Sequence, residues 1–356
     1  MLILVSSMPG NGLTGLANLG NTCFINSCMQ VLSHTRELNG FLDKDNGSYK
    51  DNVAAYHNKD YLLDSKLLVE WDNLRKLMWQ KDQLISPGGF IKAIQCVAKS
   101  RKRDIFTGYA QNDLPEFLLF ILETFHNGMR REVDMIISGE IKSKKDEMAK
   151  SCYEMMKNMY SKEYSEMLDI FYGIHVSQIF QNNEVMSNRP EPYFIVDLPM
   201  PEKGGSTVHD CFKKYCGGEK LEGDNGWFNE KTKGIEDAER KIVFWSLPKV
   251  LVVDLKRFRP DGRKIQVPID IEVDELDLSD FVEGYENKNC KYELYGVCNH
   301  SGGTMGGHYT ATVRTKKDST NEWHLFNDTN VSNVKFNGKN NTSGYCLFYR
   351  KKLNNE

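Results

Sequence analysis

Apolar residues follow a helical spacing in the first half of this chain. Between residues 61 and 80 they recur every three or four positions, which predicts a helix with one face in the core. Ser86 and Pro87 predict the start of a second helix, with serine as the cap and proline at the first helical position. Asp113 and Glu116 predict the start of a third, because their spacing is that of a capping box.

Beyond Phe171 the pattern changes to short runs of β-branched and aromatic residues bounded by Pro, Gly or Asn. These runs predict strands, and they cover residues 193–198, 242–245, 250–255 and 292–297. The sequence shows no fixed-period repeat, and no Ser/Pro-rich linker separates its halves. We therefore expect one α+β domain in which a helical lobe packs on an antiparallel sheet lobe, with a cleft between them.

One segment between the two halves fits neither pattern. Residues 129–167 are rich in Lys, Glu and Met with scattered apolar positions, which favours long exposed helices or an insertion over core. We have no functional interpretation of residues 139–159 within it.

Composition narrows the class of protein. The 356 residues are 40% hydrophobic and 27% charged, which is sufficient for a large core. The formal net charge of −3 gives no global basic field, so neither nucleic acid nor a membrane surface is expected as a partner. The apolar residues 1–5 are too few for a signal or membrane segment. Nine cysteines without a disulfide-like spacing favour a reducing, intracellular location.

Cys23 is the candidate nucleophile. It lies where a glycine-punctuated turn gives way to a helical pattern, and Asn18 precedes it by five positions. Unpaired N–H groups at a helix start favour a thiolate, so we expect a reactive sulfur. A lone cysteine is more often a small core residue, and it is the context of Asn18 and His308 that favours catalysis.

His308 is the candidate general base. It follows a glycine-dense loop and begins an alternating strand that is separated from a second strand by the polar residues 315–321. Pairing Arg314 with Asn321 in a hairpin places His308 opposite Asn327.

A thiol hydrolase requires a third side chain that orients its histidine. We rank Asn327 first for this role. Asp328 is second, because adjacent strand residues point to opposite faces. The amide of Asn18 is the candidate donor to the developing oxyanion, beside N–H groups of the helix start.

Two segments carry a family resemblance. Residues 15–27 and 300–311 resemble the Cys box and the His box of the ubiquitin-specific proteases, which are papain-like deubiquitinating enzymes. Three further segments resemble the same family in the same order, at residues 109–118, 247–258 and 323–328. The resemblance implies a catalytic domain at 12–350, with a helical thumb at about 12–170 and fingers and palm at about 171–350. Residues 1–11 are then a short extension and 351–356 a tail.

The resemblance also implies a binding site for the ubiquitin tail. Asp113 and Glu116 match residues that contact the basic tail, although they would serve as a helix cap without any partner. Tyr309 matches the aromatic residue that flanks the two terminal glycines. Gln111 lies in the segment 109–118 and His300 in the His box, and both are candidate substrate contacts. For His300, a bond to the backbone is the slightly favoured role.

The chain departs from the family at the fingers, where many members bind zinc through two Cys-x-x-Cys pairs. The corresponding stretches, residues 177–182 and 227–232, contain no cysteine. Cys211 and Cys216 are separated by four residues and have no second pair. We expect no structural zinc, no cofactor, and fingers held by packing alone.

These features predict a cysteine-type deubiquitinase that cleaves the isopeptide or peptide bond after the last glycine of ubiquitin through a thioester. Ubiquitin and ubiquitinated proteins are the expected partners of a monomeric enzyme. The alternatives are an inactive ubiquitin-binding module, a protease for a ubiquitin-like modifier and an unrelated Cys-His-Asn acyl transferase.

Overall fold

The computed structural model describes residues 10–43, 61–80, 84–108, 110–303, 306–317 and 320–352. Most of the predicted extension at 1–11 and of the tail at 351–356 lies outside these ranges. The described part contains a helical lobe and a large antiparallel sheet, so the α+β expectation is confirmed. No helix within these ranges has the length and apolar character that a bilayer crossing requires.

The helices come mainly from the first half of the chain. They are α1 (Cys23–Ser33), α2 (Arg36–Leu42), α3 (Leu62–Gln80), α4 (Gly88–Ser100), a 3-10 turn (Asp104–Phe106), α5 (Leu114–Met129), α6 (Lys144–Glu163), α7 (Glu166–Phe171) and α8 (Val208–Cys216). Every residue of α1 is buried, so this helix lies at the centre of the lobe.

Of the two predicted helix starts, the one at Asp113 is confirmed and the one at Ser86 is not. Asp113 caps α5, since its side chain accepts a hydrogen bond from Glu116 N, as expected. α4 begins at Gly88 with Pro87 at the N-cap position, so the predicted start at Ser86 is wrong. The physical reason is that Ile85 bridges to Leu16, which keeps the chain extended up to the proline.

The strands form a central sheet in the order β15-β14-β13-β12-β16-β9-β3, with β11 paired to β12 off this path. All neighbours are antiparallel except β3 and β9. The members are β3 (Ile195–Pro199), β9 (Val250–Lys256), β11 (Leu276–Asp277), β12 (Lys291–Gly303), β13 (Gly306–Lys317), β14 (Thr320–Asn327), β15 (Asn330–Val334) and β16 (Gly344–Lys351).

A second sheet, called the finger sheet, has the order β2-β1-β8-β5. It comprises β1 (Gly173–Gln181), β2 (Glu184–Tyr193), β5 (Glu219–Leu221) and β8 (Ala238–Ser246). A separate hairpin, called the tip hairpin, joins β6 (Trp227–Asn229) to β7 (Gly234–Glu236). Short parallel strands β4 (Ser206–Thr207) and β10 (Ile269–Asp270) complete the fold.

The Lys- and Met-rich segment forms a helix on the finger sheet. α6 is largely exposed, as its composition indicated, but one stripe is buried. This stripe and its partners on β1 and β8 form a small apolar cluster of Met148, Ala149, Cys152, Ile174, Val176 and Trp245. The segment therefore packs against one face of the finger sheet.

The helical lobe meets the sheet at β13. Tyr309, Ala311 and Val313 alternate along this strand and share one core cluster with α1. A hydrogen bond from Ser27 Oγ to Thr310 O, 2.9 Å long, joins the two elements. The start of α1 and the start of β13 are thereby brought together, which positions the candidate site.

Candidate active site

Cys23 is the first residue of α1, and the turn before it is built by hydrogen bonds. Asn18 Oδ1 accepts from Gly20 N at 3.0 Å and from Thr22 N at 3.2 Å. Gly20 and Asn21 have φ of 105° and 51°, a left-handed turn that glycine and asparagine adopt most easily. The turn ends at Thr22, directly before the first residue of α1.

The sulfur of Cys23 is buried, and burial raises its pKa above the ordinary value. The main-chain N–H groups of Tyr309, Phe24 and Cys23 itself act in the opposite direction, while the charge of Asp328 adds to the increase. The helix start was expected to favour the thiolate, and its N–H groups do lower the pKa of Cys23, but burial outweighs them. The resting group is a thiol and needs a base. One of the N–H groups that act on the sulfur belongs to Tyr309, the residue after His308.

His308 is oriented by Asn327. The distance from His308 Nε2 to Asn327 Oδ1 is 2.7 Å. Because an amide oxygen only accepts hydrogen bonds, Nε2 carries the proton, and Nδ1 is left as the nitrogen that can accept one.

The hairpin register that predicted this pair is wrong. Arg314 pairs with Trp323 rather than Asn321, because β13 and β14 extend through the polar segment to Lys317 and Thr320. Polar residues occur at strand ends as well as in turns, so the polar composition of residues 315–321 did not show where the turn lies. A shift of two residues leaves each side chain on its original face, which is why Asn327 still reaches His308.

Asp328 has a different set of partners. One carboxylate oxygen accepts from Asn18 Nδ2 at 2.9 Å and the other from Asn26 Nδ2 at 2.8 Å. Its main-chain oxygen accepts from Leu16 N, also at 2.9 Å. Asp328 therefore joins the end of β14 to the turn before Cys23 and does not bind His308.

Asn26 is a residue that the sequence reasoning missed. It is buried, and its amide also donates to Leu16 O and Ala17 O, at 3.3 Å each. The available signal was a polar amide three positions after Cys23, on a helix that is otherwise largely apolar. Asn26 holds the segment before the nucleophile against α1.

Gln111 pins the loop that leads to His308. Its Nε2 donates to Gly307 O at 2.8 Å, and its Oε1 accepts from Gly307 N at 3.2 Å. Gly307 has to be glycine, because a Cβ there would lie 2.3 Å from His300 Nε2. Gln111 was predicted as a substrate contact, and in the structure both polar atoms of its side chain bond to the main chain of Gly307.

His300 is buried behind Tyr309. Its ring contacts those of Phe258, Tyr309 and Tyr345, and Lys264 Nζ lies 3.1 Å from Nδ1 and 2.6 Å from its main-chain oxygen. Burial first, and then the charge of Lys264, lowers the pKa of His300 to about 4. The imidazole ring of His300 is therefore neutral at neutral pH and packs among these aromatic rings.

Both acidic residues of the predicted tail site are exposed, and they differ in their hydrogen-bond partners. Asp113 caps α5 with Oδ1, and Oδ2 accepts from Tyr345 OH at 2.6 Å. Glu116 is exposed at the start of the same helix. Tyr309 is 4% exposed. Capping by Asp113 is thus present, and both oxygens of this exposed carboxylate accept hydrogen bonds within the protein.

The fingers do not fit a zinc ion. Within the described ranges, no group of three or more His, Cys, Asp or Glu side chains is arranged to hold a metal. Gln181, Asn229 and Thr232 instead turn their hydrogen-bond donors toward the carboxylate of Glu236. The expectation that packing alone holds the fingers is wrong, because a hydrogen-bonded carboxylate joins the two stretches.

A cysteine at a helix start and a histidine at a strand start, the latter bonded to an asparagine, form the arrangement of papain-like cysteine proteases. The family model described as ubiquitin carboxyl-terminal hydrolase matches residues 14–349, and the chain belongs to this family.

Relatives and solved structures agree with this assignment. Ubiquitin carboxyl-terminal hydrolase 2 of Bos taurus is 32% identical over 358 residues, covering 97% of this chain and 56% of the relative. Its namesake from Gallus gallus is 33% identical over 353 residues, covering 97% and 95%. A chain of the SAGA Ubp8/Sgf11/Sus1/Sgf73 DUB module bound to ubiquitin aldehyde has a TM-score of 0.69 at 22% identity, covering 99% of this chain and 72% of that one. The last likeness is one of fold, and the chain spans slightly more than half of the bovine relative.

Proposed function

We propose that this chain is a cysteine-type deubiquitinase that hydrolyses the isopeptide or peptide bond after the last glycine of ubiquitin. The observation that carries the proposal is the 2.7 Å hydrogen bond between His308 Nε2 and Asn327 Oδ1. His308 lies on the strand that packs against α1, the helix that begins with Cys23. Membership of the family and the ubiquitin-related names of its relatives support ubiquitin as the substrate.

In the first half of the reaction, His308 Nδ1 takes the proton of the Cys23 thiol, and the sulfur attacks the glycine carbonyl carbon. Because the pKa of the thiol is raised, proton transfer to the base accompanies the attack. The C–N bond then breaks, His308 gives the proton to the leaving amine, and a thioester on Cys23 remains.

The second half reverses these roles. His308 takes a proton from water, the resulting hydroxyl attacks the thioester carbonyl, and the sulfur leaves with the proton that His308 returns. In both halves, negative charge develops on the carbonyl oxygen. We assign the main-chain N–H of Cys23 and the second N–H of the Asn18 amide as its donors, the first N–H of that amide being bonded to Asp328.

The residues around this centre supply the entry for the tail. We assign Tyr309 and the loop before His308 to the walls that face the terminal glycines, because a narrow passage excludes any residue with a Cβ. Glu116 is assigned to the basic part of the tail, since its carboxylate is exposed. Gln111, Asp113 and His300 fix these walls through Gly307, Tyr345 and Lys264.

A ubiquitin probe with an electrophile in place of its C-terminal carboxyl tests the proposal. We expect an adduct at Cys23, located by peptide mapping. Cys28→Ala is the matched control on the same helix and should keep the adduct, whereas Cys23→Ala should lose it. A folded protein that binds ubiquitin without forming an adduct would be a binding module. Faster labelling by a probe built on a ubiquitin-like modifier would identify a protease for that modifier.

We also propose an intracellular location. All nine cysteines are free, which supports a reducing compartment. Cell fractionation with a tagged chain tests this, and recovery in an oxidising compartment would contradict it.

A further inference from the structure

The tip hairpin is fastened to the end of β1 by one carboxylate. Glu236 Oε2 accepts from Asn229 Nδ2 and from Gln181 Nε2, at 2.9 Å each. Glu236 Oε1 accepts from Thr232 Oγ1 at 2.5 Å. Gln181 ends β1, so its bond joins the tip hairpin to the finger sheet, whereas the bonds from Asn229 and Thr232 lie within the hairpin. Gln181 Nε2 also donates to the main-chain oxygen of Asp237, at 3.1 Å.

The donors lie in the two stretches, residues 177–182 and 227–232, that correspond by resemblance to the Cys-x-x-Cys pairs of the family. Gln178 and Gln181, like Asn229 and Thr232, have the three-residue spacing of a Cys-x-x-Cys pair. Amide N–H groups cannot coordinate a cation, and Gln181 and Asn229 direct theirs at Glu236. The fourth position, Gln178, donates to Asn188 on β2 at 3.0 Å. This part of the fold is therefore chemically unsuited to zinc, and an anion occupies the centre of the donor set.

The hydrogen bonds of Glu236 affect which side chains of the tip hairpin face solvent. Strand alternation places Asn229 and Glu236 on its inner face. Phe228 and Ile235 pair across the strands on the other face, where they are 53% and 62% exposed. The orientation of this apolar pair therefore depends on Glu236.

We propose that Glu236 is a positioning residue for substrate binding, which does by hydrogen bonding in this chain what a bound metal does in relatives with cysteine pairs. The inference rests on the proposed function, because it takes the fingers to hold the body of ubiquitin. The three donors also hold the pKa of Glu236 below its usual range, so the carboxylate is charged at neutral pH.

Glu236→Gln tests the proposal, because it removes the negative charge that strengthens these bonds and replaces one acceptor oxygen with an NH2 group, at almost unchanged volume. The matched control is Glu230→Gln, an exposed glutamate on the same hairpin. The substrates are ubiquitin with a fluorogenic C-terminal amide and a fluorogenic peptide of its last residues, which is too short to reach the fingers.

With the ubiquitin substrate, Glu236→Gln should raise KM about fivefold or more and leave kcat unchanged, as expected for the loss of charge-assisted hydrogen bonds. The peptide substrate should show no change, and Glu230→Gln should match the wild type throughout. An unchanged KM for ubiquitin, or an equal loss with the peptide, overturns the positioning role.

Hydrogen–deuterium exchange tests whether Glu236 holds the tip hairpin, and it does so without relying on enzymatic activity. Exchange of residues 227–236 should become faster in Glu236→Gln and stay unchanged when a zinc chelator is added to the wild type. Faster exchange with the chelator would show a bound metal and overturn the proposal, as would unchanged exchange in the variant. If the wild type cleaves neither substrate, the proposed function fails, and exchange still decides whether Glu236 fastens the hairpin.

Discussion

Asn18 donates a hydrogen bond to Asp328 across a separation of 310 residues, with Nδ2 lying 2.9 Å from Oδ2. The relationship connects the candidate oxyanion donor to the residue that directly follows Asn327. It separates the roles of two adjacent residues at the end of β14, one that orients the base and one that orients the oxyanion donor.

Variants at these two positions should therefore fail in different ways. Asn327→Ala should lower kcat by about 10² or more and change its pH profile, because His308 loses the acceptor that sets its tautomer. Asp328→Ala should lower kcat by about 10² through the misplaced Asn18 donor, with the acid limb of the profile retained. Steady-state kinetics between pH 5 and pH 9 check both. A harmless Asn327→Ala together with a crippling, pH-shifting Asp328→Ala would reverse our assignment.

Alkylation should report the raised pKa of Cys23. Burial and the nearby carboxylate of Asp328 disfavour the thiolate, so reaction with iodoacetamide should be slow near neutral pH and accelerate as the pH rises. Mass spectrometry can follow Cys23 with the exposed Cys96 as an internal reference for the reagent. Asp328→Asn removes the charge and should move the profile of Cys23 to lower pH. A Cys23 that reacts at full rate at pH 6 would contradict the burial argument.

Two neighbouring glycines should respond differently to alanine. In Gly307→Ala the new Cβ would lie 2.3 Å from His300 Nε2 and 2.6 Å from Ser301 O, so the loop must shift, at a cost of about 1–3 kcal/mol. kcat/KM should fall, because the displaced loop carries His308. Gly306→Ala is the matched control, with no atom near its added Cβ. Equal kcat/KM values for the two variants would show that this close packing is unimportant.

Asp254 should make the stability of the protein depend on pH. It is buried on β9, and burial raises its pKa to about 7, although Lys256 Nζ lies 2.9 Å from Oδ2. A carboxyl whose pKa is raised on folding favours the folded state when protonated, so stability falls as the pH rises from about 4 to about 7. The loss is roughly 1.4 kcal/mol per unit of pKa shift at most.

Asp254→Asn removes this titration. Urea unfolding at pH 5 and pH 8 should show a smaller loss of stability with rising pH in the variant than in the wild type. Asp197→Asn is the control, because it removes an exposed partner of the same lysine, at 2.9 Å. If Asp254→Asn leaves the pH dependence unchanged, the carboxyl is not protonated in the folded state.

Features that depend on neighbouring residues could be predicted from the sequence. The helical period at 61–80 and the cap at Asp113 are local, and the structure has both elements. The run at 250–255 is apolar at nearly every position because β9 is buried on both faces. The glycine-rich approach to His308 and the position of Cys23 at a helix start were likewise visible in the residues themselves.

The sequence by itself determined which residue types stand at the two halves of the site, and that they lie on a helix start and a strand start. Only the tertiary structure decided how they meet. The hairpin register followed from strands that continue through polar residues, and the bonds of Asp328 to Asn18 and Asn26 join residues about 300 positions apart. The raised pKa of Cys23 and the connection at Glu236 have the same origin, since burial and hydrogen-bond partners are set by distant segments that pack together.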